Sequence, residues 1–188
     1  MNVMVITEDH TYDQQMLKPI LREMLASVDK PRANLRFYQN SKRRRGYEKV
    51  KSWEFLEQVF DQNRLVHLFL LIVDRDGVLH RRADLDDKET RAANREARVS
   101  LLSAHAFQEI EAWILIGQDN LPWPPVEIRN DVDVKERFYY PFVEREGLMV
   151  TPGQGRAVLA QRANYIRIKQ FCEEVRGLEE RVRISLEP

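Results

Sequence analysis

Uninterrupted apolar runs along the chain predict buried strands. The longest, residues 65–73, contains the sequence LFLLIV without polar alternation, which favours a central strand covered on both faces. A shorter run, Val3–Ile6, predicts a first strand of the same kind, and residues 34–39 and 101–107 are further candidates. Runs of this type are typical of parallel sheets, so the expected fold class is α/β, with a mostly parallel sheet flanked by helices.

Between these runs the apolar residues follow helical spacing. Met16, Leu17, Ile20 and Leu21 predict an amphipathic helix over residues 13–28, in βα order after the first strand. Further helices are predicted around residues 53–60, over the highly charged stretch 79–99 with Asp86 or Asp87 near its start, and along a helical C-terminal part. We expect an α/β core over 1–120 and a loop and helical extension over 121–188 packed on it, together forming a single domain.

The composition excludes only a few classes of protein. Lysine plus arginine and aspartate plus glutamate number 30 each, so net charge gives no indication of a nucleic-acid binder. The single cysteine, Cys172, excludes an intramolecular disulfide framework and a multi-cysteine zinc site. No apolar run approaches the roughly 18 residues of a membrane span. The expectation is a cytoplasmic protein with no membrane partner.

Acidic residues follow the two clearest predicted strands. Glu8 comes after the first strand, and Asp74 and Asp76 come after the central one. Carboxyl ends of parallel strands share one edge of a sheet, and two acids two positions apart point the same way if the strand geometry persists. Oxygen ligands suit Mg²⁺ or Mn²⁺, so these residues predict a metal site. A polar turn closing the strand is the alternative, because aspartate and glycine are common in turns.

A second set of acids interrupts an apolar segment. Glu109 and Glu111 stand among apolar residues and are costly there unless they are paired, hydrogen-bonded or bound to metal. A metal at this edge would polarise a phosphodiester and help to generate hydroxide, with Glu8 as a candidate general base. The four histidines are scattered and no nucleophile elbow is present, so the sequence offers no serine or cysteine nucleophile arrangement.

One basic run stands out in a chain of balanced charge. It lies between Tyr38 and Tyr47, and cations with neighbouring aromatic rings can neutralise phosphates and stack on a base. A solvated loop that serves solubility or partner docking is the alternative. The candidate nucleic-acid contacts are Lys42, Arg43, Arg44 and Arg45.

The order of these motifs resembles a known family. Glu8 after a first strand, followed by an apolar run and Asp74-Arg75-Asp76-Gly77, resembles the TOPRIM fold of topoisomerases, primases and overcoming-lysogenization-defect nucleases. More narrowly, the segments QEIEAWIL (108–115), DVK (133–135) and GQGR (153–156) resemble the TOPRIM-like domain of unknown function 4276. The resemblance implies a metal-dependent nuclease, in bacterial or phage-defence contexts, that accompanies a partner ATPase.

The sequence departs from the TOPRIM pattern in two respects. Asp9 and His10 follow the first acid where TOPRIM proteins usually carry a glycine. The chain also has no attached domain with a catalytic tyrosine, which argues against topoisomerase-type strand passage.

The leading function is therefore a Mg²⁺-dependent phosphodiesterase or nuclease. Glu8, Asp74 and Asp76 would lie at the metal, with Glu109 and Glu111 completing or orienting the site. The main alternative is a non-catalytic TOPRIM-like module that docks on a partner ATPase or on nucleic acid. A third possibility is an enzyme that acts on small nucleotides.

Overall fold

The structure is a computed structural model that describes residues 1–39, 50–95 and 99–186. Within these ranges four strands form one parallel sheet, which confirms the predicted α/β class. The strands are β1 (Asn2–Ile6), β2 (Asn34–Phe37), β3 (Leu68–Asp74) and β4 (Leu101–Ala106), in the spatial order β2-β1-β3-β4. β1 pairs with both β2 and β3, so the first strand of the chain lies inside the sheet.

Within the described ranges, helices in the connections between strands cover both faces of the sheet. They are α1 (His10–Ser27), α2 (Trp53–Gln62) and α3 (Arg81–Ala93). Alternate strand residues face opposite layers: Val5 and Leu70 pack with the buried side of α1, whereas Ile6 and Leu71 pack with α2 and α3. Burial on both faces explains why β1 and β3 are continuously apolar.

The C-terminal part of the chain is helical and packs on the α1 side of the sheet. Its helices are α4 (Glu111–Ile116), α5 (Pro125–Asn130), a π-helix (Lys135–Tyr139), α6 (Tyr140–Arg145), α7 (Arg156–Arg162), α8 (Tyr165–Phe171) and α9 (Glu173–Ser185). Their buried side chains share one core cluster with α1 and the sheet. The division at residue 120 stays a prediction.

Several element boundaries differ from those expected. The charged helix α3 runs from Arg81 to Ala93 and is shorter than the predicted 79–99, and Asp86 and Asp87 lie near its middle, paired with Arg82 and Lys88. Pro125 starts α5, a first-turn position that tolerates proline because no backbone hydrogen bond is needed there.

None of the helices in the described ranges combines the length and the apolar character that crossing a membrane requires.

Candidate active site

The acids at the ends of β1 and β3 lie at the topological switch point of the sheet. From β1 the chain passes through α1 to β2 on one side, and from β3 it passes through α3 to β4 on the other. Ligands of open α/β sheets bind in the crevice that such a divergence creates. Glu8 and Asp74 meet there, and the backbone N–H of Asp74 donates a 3.1 Å hydrogen bond to Glu8 Oε1.

Asp76 does not continue the strand. β3 ends at Asp74, and Asp76 has a left-handed backbone with φ of +48°, so the alternation that would align it with Asp74 is lost. The side chain of Asp76 is half exposed and pairs with Arg81 at 3.1 Å. The expectation that Asp74 and Asp76 extend in the same direction along a strand is therefore wrong, because the chain turns between them.

Asp13, which the sequence analysis did not select, lies near Asp74. Asp9 caps α1 by accepting a hydrogen bond from the Thr11 N–H, and its own N–H donates to Asp13 Oδ2 at 2.9 Å. Asp13 is buried on the core face of α1. Burial raises the pKa of Asp13 to about 7, and the charges of Glu111, Asp9 and Glu8 act in the same direction.

Asp74 is the acid most affected by its neighbours. It continues the phase of Leu70 and Ile72 in β3, so its side chain lies on the α1 face of the sheet. Its Oδ1 accepts a 2.8 Å hydrogen bond from the Ile110 N–H. Burial raises the pKa of Asp74 well above its ordinary value, and the charges of Asp13, Glu111 and Glu8 add to that rise. We call Glu8, Asp13, Asp74 and Glu111 the acidic cluster.

Basic side chains border the acidic cluster. Arg81 is buried and lies 3.7 Å from Glu8 Oε1, and it also donates to the backbone carbonyl of Asp74. Arg156, at the start of α7 directly after Gly155, forms a fully buried 2.9 Å ion pair with Glu111. Lys135 approaches Glu111 at 3.7 Å. These cations offset part of the negative charge of the cluster, and Arg156 is the partner that the buried Glu111 requires.

Glu109 has a different function from Glu111. Its Oε2 accepts a 2.7 Å hydrogen bond from the backbone N–H of Lys135, and its Oε1 accepts a 3.1 Å hydrogen bond from Lys135 Nζ. Glu109 therefore anchors the first turn of the π-helix. Burial raises the pKa of Glu109, with Lys135 opposing the rise. Burial alone lowers the pKa of Lys135, but Glu111 and Glu109 outweigh it and the net change is upward. Glu109 therefore holds Lys135 beside the cluster.

Gln108 organises the turn that follows β3. Its carbonyl accepts hydrogen bonds from the N–H groups of Arg75 (2.8 Å) and Asp76 (3.2 Å), and its side-chain Oε1 accepts from Gly77 (2.8 Å). Gln108 is buried and has a φ of +87°, a conformation that costs energy for any residue except glycine. The segment around Gln108 thus fixes the backbone on which Asp74 stands.

The oxygen atoms of the cluster suit a hard divalent cation held largely by water. Among the described residues, no group of three or more histidine, cysteine, aspartate or glutamate side chains is placed to hold a metal, so an all-protein cage is not formed. Mg²⁺ in phosphoryl-transfer sites usually takes one or two carboxylates and completes its shell with water and phosphate oxygens. Within those residues Oδ2 of Asp74 accepts no hydrogen bond, which leaves it suited to such a site.

Lys42, Arg43, Arg44 and Arg45 lie outside the described residues. The Gly153–Gly155 segment is a helix-entry turn, with both glycines at positive φ before α7.

Comparison with protein-family models, curated proteins and solved structures gives no match for this chain. The resemblance to TOPRIM proteins therefore stays a prediction, and the chemistry of the site must be inferred from its own residues.

Proposed function

We propose that this chain is a metal-dependent phosphodiesterase that cleaves nucleic acid, with its active site at the carboxyl ends of β1 and β3. The packing of the acidic cluster at the switch point of the parallel sheet carries the proposal. Carboxylates brought close together and partly buried repel one another, and a divalent cation or bound protons reduce that repulsion. Strongly perturbed acids of this kind concentrate at functional sites.

Glu8 and Asp74 are the residues that would hold Mg²⁺ or Mn²⁺. A metal bound there supplies Lewis acidity toward a phosphodiester oxygen and a lowered pKa of bound water. With Glu8 at the metal, Asp13 is the candidate base for the attacking water, since it belongs to the cluster. Arg81 holds Glu8 and the end of β3 in place through its contacts with both.

The rival function is a non-catalytic module that docks on a partner ATPase or on nucleic acid. One observation favours it: Arg81, Lys135 and Arg156 already neutralise much of the acidic charge without a metal. Calorimetric titration with Mn²⁺ separates the two functions, because only the metal-dependent enzyme should give saturable heat at the cluster.

The deciding experiment measures hydrolysis of labelled single- and double-stranded DNA and RNA in Mg²⁺, in Mn²⁺ and in EDTA. We expect cleavage with either metal and none in EDTA. Asp74→Asn retains an oxygen for the Ile110 N–H and should stay folded, while cleavage falls by at least about a hundredfold because a charged ligand is lost.

Asp29→Asn is the matched control. Asp29 is exposed just beyond the far end of the 18-residue helix α1, about 27 Å along the helix axis from its start, and asparagine tolerates its positive φ. This variant should cleave like the wild type. Cleavage that survives EDTA, or equal activity in the Asp74 and Asp29 variants, would contradict the proposal.

A further inference from the structure

Arg75 differs from the other basic side chains around the acidic cluster. Arg81, Lys135 and Arg156 each form an ion pair with a glutamate of this edge. Arg129, which shares an aromatic neighbour with Arg75, pairs with Glu174 at 2.8 Å. Within the described part of the chain Arg75 has no ion pair, although it directly follows Asp74. No carboxylate among these residues therefore neutralises the charge of Arg75.

An aromatic ring holds Arg75 in a defined position. Its guanidinium carbon lies 4.3 Å from the centroid of the Phe107 ring, at the end of β4. The backbone N–H of Arg75 also donates to the Gln108 carbonyl at 2.8 Å, which fixes the start of the side chain. A cation–π contact orients a guanidinium without using its N–H donors. Arg75 is thus a positioned cation whose side-chain donors bind no other group among the described residues and suit a ligand.

The location of Arg75 indicates which part of a ligand it contacts. The guanidinium of Arg75 lies over the Phe107 ring at the end of β4, whereas Asp74 projects toward Asp13 on the α1 face. Arg75 consequently lies beside the acidic cluster rather than within it. A phosphate bound there would be adjacent to the one that the cluster acts on.

We infer that Arg75 binds a backbone phosphate that flanks the cleaved one. The location of the cleaved phosphate rests on the proposed function, but binding through Arg75 does not require catalysis. Arginine suits this role because its planar donors match phosphate oxygens in a bidentate manner. A flanking phosphate exists in a polynucleotide and not in a simple diester, so the inference selects nucleic acid over small diesters as substrate.

The binding experiment uses fluorescence anisotropy of a labelled single-stranded oligonucleotide in EDTA, at a series of salt concentrations. We expect Arg75→Gln to weaken binding and to reduce the slope of log K against log salt by about 0.7, the contribution of one phosphate contact on a single strand. Arg75→Lys keeps the charge and should keep the slope. Thermal melts establish that both variants are folded.

Arg91→Gln is the matched control. The guanidinium carbon of Arg91, on α3, also lies 4.3 Å from the centroid of an aromatic ring, that of Trp53 on α2, but this pair is away from the acidic cluster. The salt slope of Arg91→Gln should equal that of the wild type.

In Mg²⁺, Arg75→Gln should raise KM for the oligonucleotide with kcat within twofold, and leave hydrolysis of bis(p-nitrophenyl) phosphate unchanged, because this small diester has no flanking phosphate.

The two proposals fail in distinguishable ways. An unchanged salt slope in Arg75→Gln, an equal loss in Arg91→Gln, or no oligonucleotide binding by the wild type would overturn the role of Arg75, whether or not the protein cleaves nucleic acid. A reduced slope without any cleavage would support Arg75 as a phosphate contact and overturn the hydrolase.

Discussion

Helix α3 and the acidic cluster are both rich in carboxylates, yet their charges behave in opposite ways. On α3, Asp86 is largely exposed, and the guanidinium of Arg82 one turn away lowers the pKa of its carboxyl. In the cluster, burial and neighbouring acids raise the pKa of Asp74. The same residue type is therefore stabilised as an anion in one region and penalised in the other.

The difference shows how a solvated charged surface can be distinguished from a candidate reaction site. On α3, Asp84 and Asp86 each pair with a basic residue one helical turn away, as acids on an ordinary solvated surface do. Acids of the cluster come from the loop after β1 and from α1, β3 and α4, and the fold places them together in spite of their repulsion. Substitutions in the two regions should therefore have unequal consequences.

The largest difference in stability is expected at Glu111. Glu111→Gln removes the buried partner of Arg156 and should lower the free energy of unfolding by about 3 kcal/mol, because a buried cation is left uncompensated. Urea denaturation measures the change. Asp86→Asn, which breaks an exposed pair on α3, should cost about 0.5 kcal/mol or less. Equal stability of the wild type and Glu111→Gln would mean that relief of repulsion within the cluster compensates for the lost ion pair.

A pH-dependent difference is expected at Asp13. The folded protein holds the Asp13 proton up to about pH 7, whereas an ordinary aspartate loses it near 3.8. Between these values the folded state binds more protons than the unfolded state, so the stability from this group is lost as pH rises toward 7. Asp13→Asn should therefore be more stable than the wild type at pH 8, by a few kcal/mol at most, and the gain should shrink at pH 5.

Urea denaturation in EDTA at both pH values measures this effect, since a bound cation would itself favour the ionised carboxyl. A gain that is the same at pH 5 and pH 8 would show that Asp13 does not titrate between them.

A smaller effect than at Glu111 or Asp13 is expected at Gln108. Gln108→Ala removes the acceptor for the Gly77 N–H but keeps the strained backbone, and should cost about 1 kcal/mol. Gln108→Gly loses the same acceptor but relieves the positive φ, so it should be more stable than the alanine variant. Thermal melts of the pair provide the measurement. A glycine variant that is less stable than the alanine variant would mean that the backbone there is not strained.

Part of this arrangement could be predicted from the sequence. Continuous apolar runs predicted the strands, and their common direction predicted that Glu8 and Asp74 would meet at one edge of the sheet. The position of Asp13 could also have been predicted from the sequence. It occupies the same helical phase as Met16, Leu17 and Ile20, so a carboxylate on the buried face of α1 could have been expected near the end of the neighbouring strand.

Other parts depend on tertiary contacts that no local pattern encodes. Asp76 does not continue the direction of β3, because the segment around Gln108, which follows β4, fixes the turn after β3. Glu111 pairs with Arg156, which lies 45 residues away and is brought near by the packing of α7 against α1 and α4. Spacing rules describe neighbours within one element, and these pairs join several elements.

The internal position of β1 also affects how the chain can fold. Val3 pairs with Leu35 on one side and with Leu68 on the other, and each parallel pairing requires a complete crossover. The entropy of closing these long loops must be lost before the strand contacts form, which slows folding relative to a helical bundle. During synthesis on the ribosome, β1 emerges before β3 and must therefore wait for Leu68–Asp74 before both of its edges are covered.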